Sequence, residues 1–374
     1  MNLTGAAAGV DGIKSSLVLW ADADGSGSGS IFLNGTNSVT TNGGGIWMGG
    51  GSGTASWTPY TGASTITVGN GYAVGDGITS LAGARYRSGI EFYGTAVNLT
   101  SNGGNIALYG KSYNAGDKYT GGITWDAGTI DASAGKIVMD GVSRGNGTVN
   151  SQAISMAVAV YIKSSSNAAD AITITGDASG TTAGGACIGI NMPDSGGTIQ
   201  ATGGGGITLV GKSGDATYST AFQMNATRVL ANSGAISLTG STPNNAYNTF
   251  QVGGDFTIGQ KAGTDVTSSS SNITLKGNTM NALSAGTIFA SSGSLTIEPY
   301  TAGTSIGIAG GAGTLSLPAS YFLTNFTNGF SGITVGNSTA GAISVGGATT
   351  FNDSTTLHSN STIAIGGAIT ANEN

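Results

Sequence analysis

Residues 98–110 read NLTSNGGNIALYG, residues 129–141 TIDASAGKIVMDG, residues 198–211 TIQATGGGGITLVG, residues 228–240 RVLANSGAISLTG, and residues 287–299 TIFASSGSLTIEP. All five have the same grammar: a short strand, a small polar turn, then a second strand in which Ile or Leu alternates with a small or polar residue. A two-residue alternation puts the aliphatic side chains on one face of an extended chain, and the glycines mark corners. Shorter copies of the second strand recur from end to end. They include GSIFLNG ending at Gly35, GGIWMGG ending at Gly50, STITVGN at 64–70, GGITLVG at 205–211, SNITLKG at 271–277, GAISVGG at 341–347 and STIAIGG at 361–367.

The alternation predicts the inward side chains. Ile31, Ile46, Ile106, Ile137, Ile172, Ile207, Ile236, Ile273, Leu295, Ile333, Ile343 and Ile363 anchor the copies, with Leu108, Leu209 and Leu238 two residues beyond three of them. Ile106, Ile137, Ile172, Ile207 and Ile236 follow one another at 31, 35, 35 and 29 residues, whereas Ile31, Ile46 and Ile66 lie 15 and 20 apart. Loops of different length therefore interrupt a degenerate repeat. A single coil of this kind cannot bury enough apolar surface to offset the ordering of its glycine-rich backbone, but stacked coils can. The expected fold is all-β: a parallel β-helix (β-solenoid) of degenerate repeats, continuous over residues 1–374, with parallel rungs and Ile above Ile. An antiparallel sandwich is disfavoured, because turn dipeptides bridging two strands are scarce.

Composition agrees. Charged residues make up 8% of the 374 residues, too few to cover helices with the usual Glu, Lys and Arg. Yet 39% are hydrophobic and the net charge is only −6, which separates the 68 glycines from those of a disordered chain. Twelve Lys and Arg, spread along the chain, form no stripe for nucleic acid. Cys187 is the only cysteine, so no internal disulfide forms. The apolar run at 156–162 is far too short to span a membrane, and the first residues carry no secretion signal.

The strand–GG–strand unit resembles the repeat coils of filamentous-haemagglutinin-like exoproteins, large β-helical adhesins of Gram-negative bacteria. The resemblance covers most of the chain, and residues 316–370, SLPASYFLTNFTNGFSGITVGNSTAGAISVGG and onward, carry its most specific part; residues 316–374 are read as a repeat variant within the solenoid. It implies a right-handed helix, export to the cell surface or medium, and a structural role in adhesion, aggregation or biofilm. Partners would be a host or neighbouring cell surface, glycans, or further copies of the chain. Motifs of an N-terminal secretion domain are not found, so the chain reads as an internal section of a longer fibre. A self-assembling filament subunit is the main alternative.

Catalysis and cofactors are not expected. Gly206 to Ser213 matches a phosphate-binding expression, but an apolar strand fills the loop positions and no helix pattern follows. Asp22-Ala-Asp24 opens like a calcium loop, yet Leu33 stands where the closing Glu belongs. Glu91, Glu298 and Glu373 are the only glutamates and His358 the only histidine, so no acid–base cluster of a polysaccharide-acting β-helix can be assembled. Trp47, Tyr93 and Tyr109 fall on outward or corner positions and are the candidates for stacking on sugars. The pair Thr173 and Thr175 suggests the flat threonine plane of an ice-binding solenoid, but such pairs do not recur in register along the chain.

Overall fold

The computed structural model describes residues 2–4, 14–75, 88–113, 120–145, 150–158, 160–181, 185–192, 196–243, 248–280, 282–283 and 288–372. Glu373 lies outside them. The chain is nearly all β, with 52% strand and 2% helix, and its large sheets are parallel.

Three stacks of strands organise it, and the chain visits them in rotation. The first face holds Thr120–Trp125, Ser151–Met156, Ala186–Met192, Tyr218–Asn225 and Phe250–Gly253. The second holds Gly128–Asp131, Val160–Ser164, Thr198–Ala201, Arg228–Ala231, Thr257–Gly259 and Ile288–Ala290. Long strands Ile31–Thr40 and Ile90–Thr100 run through both faces and join them into one 15-stranded sheet. The third face runs Leu17–Ala21, Ile46–Trp57, Ile106–Lys111, Ile137–Val142, Ile172–Asp177, Ile207–Lys212, Ile236–Ser241, Ile273–Lys276, Ser294–Glu298, Gly332–Gly336 and Thr355–His358.

Register is kept along each stack. On the third face Leu17, Ile46, Ile106, Ile137, Ile172, Ile207, Ile236, Ile273, Leu295 and Ile333 stand in one column. Leu108, Leu209 and Leu238 share the next inward column, and the nine anchors from Ile46 to Ile333, with these leucines, are buried. On the first face the column is Ile31, Ile90, Ile123, Ile154, Ile190, Phe222 and Phe250. Side chains of all three faces merge into one hydrophobic core. Within it Phe222 stacks on Phe250 at 5.1 Å and Phe92 lies 4.1 Å from Trp125, so aromatics fill rungs where Ile would leave space.

The glycine that ends the third-face motif has a packing cause. A Cβ at Gly110, Gly141, Gly176 or Gly211 would run into the carbonyl oxygens of Gly122, Ala153, Gly189 and Ala221, which belong to first-face strands of the following coil. None of the four has a positive φ. Close approach of two faces, more than turn conformation, fixes glycine there. Left-handed residues occur instead in the corner before the third face, at Asn42, Gly43, Asn102 and Gly103.

Three expectations need correction. Ile31 belongs to the first face and Ile46 to the third, so their short separation measures a step between faces and not a short repeat. STITVGN is not a rung: Ile66–Gly71 pairs antiparallel with the far half of Ile46–Trp57 and folds back outside the third face. Ile363 is not a core residue. It pairs with Ile343, itself 1% exposed, but no described strand covers its other side, and it is 42% exposed with Ile365 and Ile369 beside it.

From Ile306 onward the coil changes. A four-stranded parallel sheet, Leu315–Leu317, Ile306–Ile308, Ile343–Val345 and Ile363–Ile365, replaces the first two faces, and Thr349–Phe351 pairs with Ile369–Ala371, while the third face continues. A short helical turn, Tyr321–Asn325, the only one among the described residues, brings Tyr321, Phe322 and Phe326 onto the core. Phe326 meets Phe289 at 5.4 Å, Phe322 meets Phe351 at 4.8 Å, and the Tyr321 hydroxyl donates to Met280 O at 2.7 Å.

Candidate functional site

The outward side of the third face is divided in two. Its central rank reads Val18, Trp47, Ala107 and Val138 over the first rungs, then Thr173, Thr208, Ser237, Thr274, Thr296, Thr334 and Thr356. Seven consecutive hydroxyls thus stand in register in one rank. The uneven loop lengths hide the ladder in sequence. The neighbouring rank, Thr175, Val210, Thr239, Lys276 and Glu298, is mixed and carries an ion pair at 3.0 Å, so no two-rank threonine plane forms.

The apolar half is covered by the antiparallel hairpin. The strand that begins at Ile46 parts from Ile106–Lys111 after Met48 but stays paired with Leu17–Ala21 through Gly50, turns at Gly51 with φ of 98°, and pairs Thr54, Ala55, Ser56 and Trp57 with Gly69, Val68, Thr67 and Ile66. Pro59 and Gly62 lie in the connection. Ala73 and Val74 then rejoin the rung of Gly110 and Lys111. Three of the four tryptophans, Trp20, Trp47 and Trp57, gather beneath or beside this flap with Val68, Ala107 and Val138, forming a second apolar cluster outside the main core. Trp47 finds its room over Gly49, where any side chain would strike the indole. The Trp20 indole N–H donates to Gly51 O at 2.7 Å and ties the bend down.

Between flap and face lies a cleft of about 280 Å³, lined among others by Trp47, Trp57, Asn70, Tyr72, Tyr109 and Asp140. Tyr109 sits 6.1 Å from Trp47 and 6.3 Å, edge-on, from Tyr72. The Tyr72 hydroxyl donates to Asp140 Oδ2 at 3.0 Å. Burial pushes the Asp140 carboxyl upward, Tyr72 and Lys212 pull against it, and Asp177 adds to the rise. Burial, then the Asp140 charge, raises the Tyr72 and Tyr109 phenols. Asn70 Oδ1 accepts the Gly53 N–H at 3.2 Å, which holds the amide at the rim.

Of the three aromatics expected to stack on sugars, Tyr109 lines this cleft. Trp47 lines it too, but it is 2% exposed, because the flap closes over what the sequence suggests is an open outward position. Tyr93 is elsewhere, on a strand of the first face, stacked on Phe32 at 6.5 Å. Trp57, Asn70, Tyr72 and Asp140 complete the site and were not singled out in the sequence. The usable signal is the turn-forming WTPYTG at 57–62 between two alternating strands.

The other motifs resolve as corners. Lys111 and Lys212 hold equivalent third-face registers, both through Asp177 and Val142, and no helix follows Lys212. Asp22 Oδ1 accepts Ser26 Oγ at 3.1 Å and Gly27 N–H at 3.0 Å, making a self-bonded turn. His358 is an exposed rung residue opposite Gly336. Among the described residues no group of three or more His, Cys, Asp or Glu is placed to hold a metal, and Cys187 is buried. No protein-family model matches the chain, and neither do curated proteins or solved structures.

Proposed function

We propose that the three faces close on one another as a right-handed parallel β-solenoid, and that the chain is a structural, adhesive section of a bacterial cell-surface or secreted fibre without catalysis. The observation that carries this is the third face: eleven strands in one parallel stack, with an aliphatic column inside and a rank of hydroxyls outside. The rotation of the chain through three faces, a core shared by all of them, and the near-universal right-handedness of parallel crossovers support the winding. The resemblance to filamentous-haemagglutinin-like repeats supports the location and the adhesive role. A long face of small polar groups with few charges suits many weak, additive contacts with a cell surface and its glycans more than one deep pocket.

Electron microscopy and sedimentation of the isolated chain, with adhesion of chain-coated beads to cells, test this reading. At about 4.8 Å per rung the third face spans about 48 Å, so short, monodisperse rods and retained beads are expected. Compact spheroids, inert beads, or steady turnover of a polysaccharide would overturn it. Rods that lengthen with concentration would favour the self-assembling filament.

A further inference from the structure

We propose that the cleft between the flap and the third face is a glycan-binding site for a neutral hexose unit, with Trp57 and Tyr109 as the apolar floor and Asp140 and Asn70 as the hydroxyl-reading pair. This rests on the adhesive reading and gives it an address.

Four observations converge. The cleft gathers two indoles and two phenols in a chain with only four tryptophans, and of these Trp57, Tyr72 and Tyr109 are partly exposed. Aromatic faces suit the C–H side of a pyranose, which is apolar, while its edge carries hydroxyls that need partners. Asp140 offers that partner. One oxygen accepts Tyr72, which fixes the carboxylate, and no other described group bonds it. Asn70 adds the complementary donor: its oxygen is committed to Gly53, leaving the NH₂ at the rim. An acceptor and a donor lining one cleft match sugar hydroxyls, each of which both gives and takes a hydrogen bond.

Charge narrows the class. Asp177 is already paired with Arg144 and Lys212, but Asp140, the one acidic residue among the described residues lining the cleft, disfavours sialic and uronic acids or sulfated sugars there, so the ligand is uncharged. A quaternary ammonium group, the other chemistry that aromatics beside a carboxylate can hold, has no hydrogen-bond acceptor for Asn70. The volume of about 280 Å³ suits one or two rings, not an extended chain. The flap is rigidly tied by the Trp20 bond and the antiparallel ladder, so the site is already formed.

The test is titration of the full chain with cellotriose, maltotriose, lactose and N-acetyllactosamine, followed by tryptophan fluorescence and saturation-transfer NMR. Choline and sialyllactose serve as charged comparators. At least one neutral sugar is expected to bind with millimolar or better affinity and to shift tryptophan emission. Asp140→Asn and Trp57→Ala should each weaken it about tenfold, the loss of one charge-assisted bond or one ring contact. Tyr218→Ala, an exposed aromatic on the first face, should leave it unchanged, and circular dichroism should be the same for all. No response to any neutral sugar, preference for choline or sialyllactose, or equal binding by both cleft variants overturns the assignment. If chain-coated beads still hold to cells in that case, the site falls and the adhesive reading stands. If beads fail while sugar binds, the reverse holds.

Discussion

Rungs at Trp47 and at Thr208 share one inner column of aliphatics, yet their outer surfaces have opposite fates. Around Trp47, Ala107 and Val138 the face is apolar and the chain spends some 25 residues folding a flap over it. From Thr173 to Thr356 the same rank is hydroxyl and stays open. The inner column is what holds the rungs together, because it is buried in both halves. The outer rank is free to vary, and where it turns apolar a cover is needed and a cleft results.

Substitutions can break this division. The largest effect belongs to the inner column, which both halves share: Ile207→Asp should cost more than about 4 kcal/mol by placing a charge in the core. Thr208→Asp, one residue on, should cost less than about 1 kcal/mol in the same denaturant titration. Trp47→Ala should cost about 3 to 5 kcal/mol and free the flap to hydrogen exchange, whereas Thr173→Ala, at the same rank in the open half, should change stability by under about 1 kcal/mol. Equal losses at Trp47 and Thr173 would erase the distinction between the halves.

A middle-sized effect should come from Gly141→Ala, at about 1 to 3 kcal/mol, since backbone of the next coil occupies the space a methyl needs. The smallest is electrostatic. Burial works to raise the Asp177 carboxyl, but the Ser179 hydroxyl and amide and the cations of Arg144 and Lys212 outweigh it and hold it below the ordinary carboxylate value. Its contribution is therefore present above the unfolded-state pKa near 3.8 and lost as pH falls through the lower folded value. Asp177→Asn should lower the melting temperature at pH 6, and the gap should close toward pH 3. A gap that widens on acidification would reverse the assigned sign.

The same division marks how far the sequence can be read. The third face is legible because seven of its eleven rungs, those starting at Ile46, Ile106, Ile137, Ile172, Ile207, Ile236 and Ile273, carry one signature: Ile-x-(Leu, Met or Ile)-x-Gly, where the aliphatics fill the core and, at Gly110, Gly141, Gly176 and Gly211, the glycine meets a neighbouring carbonyl. First-face strands such as SQAISM at 151–156 and YSTAFQMN at 218–225 have no such glycine, and Phe222 takes the place that Ile190 holds one rung earlier. Loops of unequal length then put successive rungs out of step, which also conceals the hydroxyl ladder. STITVGN was bound to mislead, since two-residue alternation looks the same in a parallel rung and in a hairpin. Only the turn residues Pro59 and Gly62 distinguish them, and with the hairpin unread Trp47 looks exposed. Ile363 has the anchor pattern in full, but burial depends on a neighbour on both sides, which the pattern of one strand does not encode.

The parallel, in-register stack is the claim on which the rest depends, and pulsed electron paramagnetic resonance between spin labels on the hydroxyl rank measures it directly. Cys187 is buried and will not compete for label. Labels at Thr173 and Thr296 lie four rungs apart, and labels at Thr173 and Thr356 six, so at about 4.8 Å per rung the separations should be about 19 and 29 Å. Distances that grow in this way with rung number would establish the stack; a longer pair no farther apart than the shorter one, or either pair beyond about twice its expected value, would contradict it.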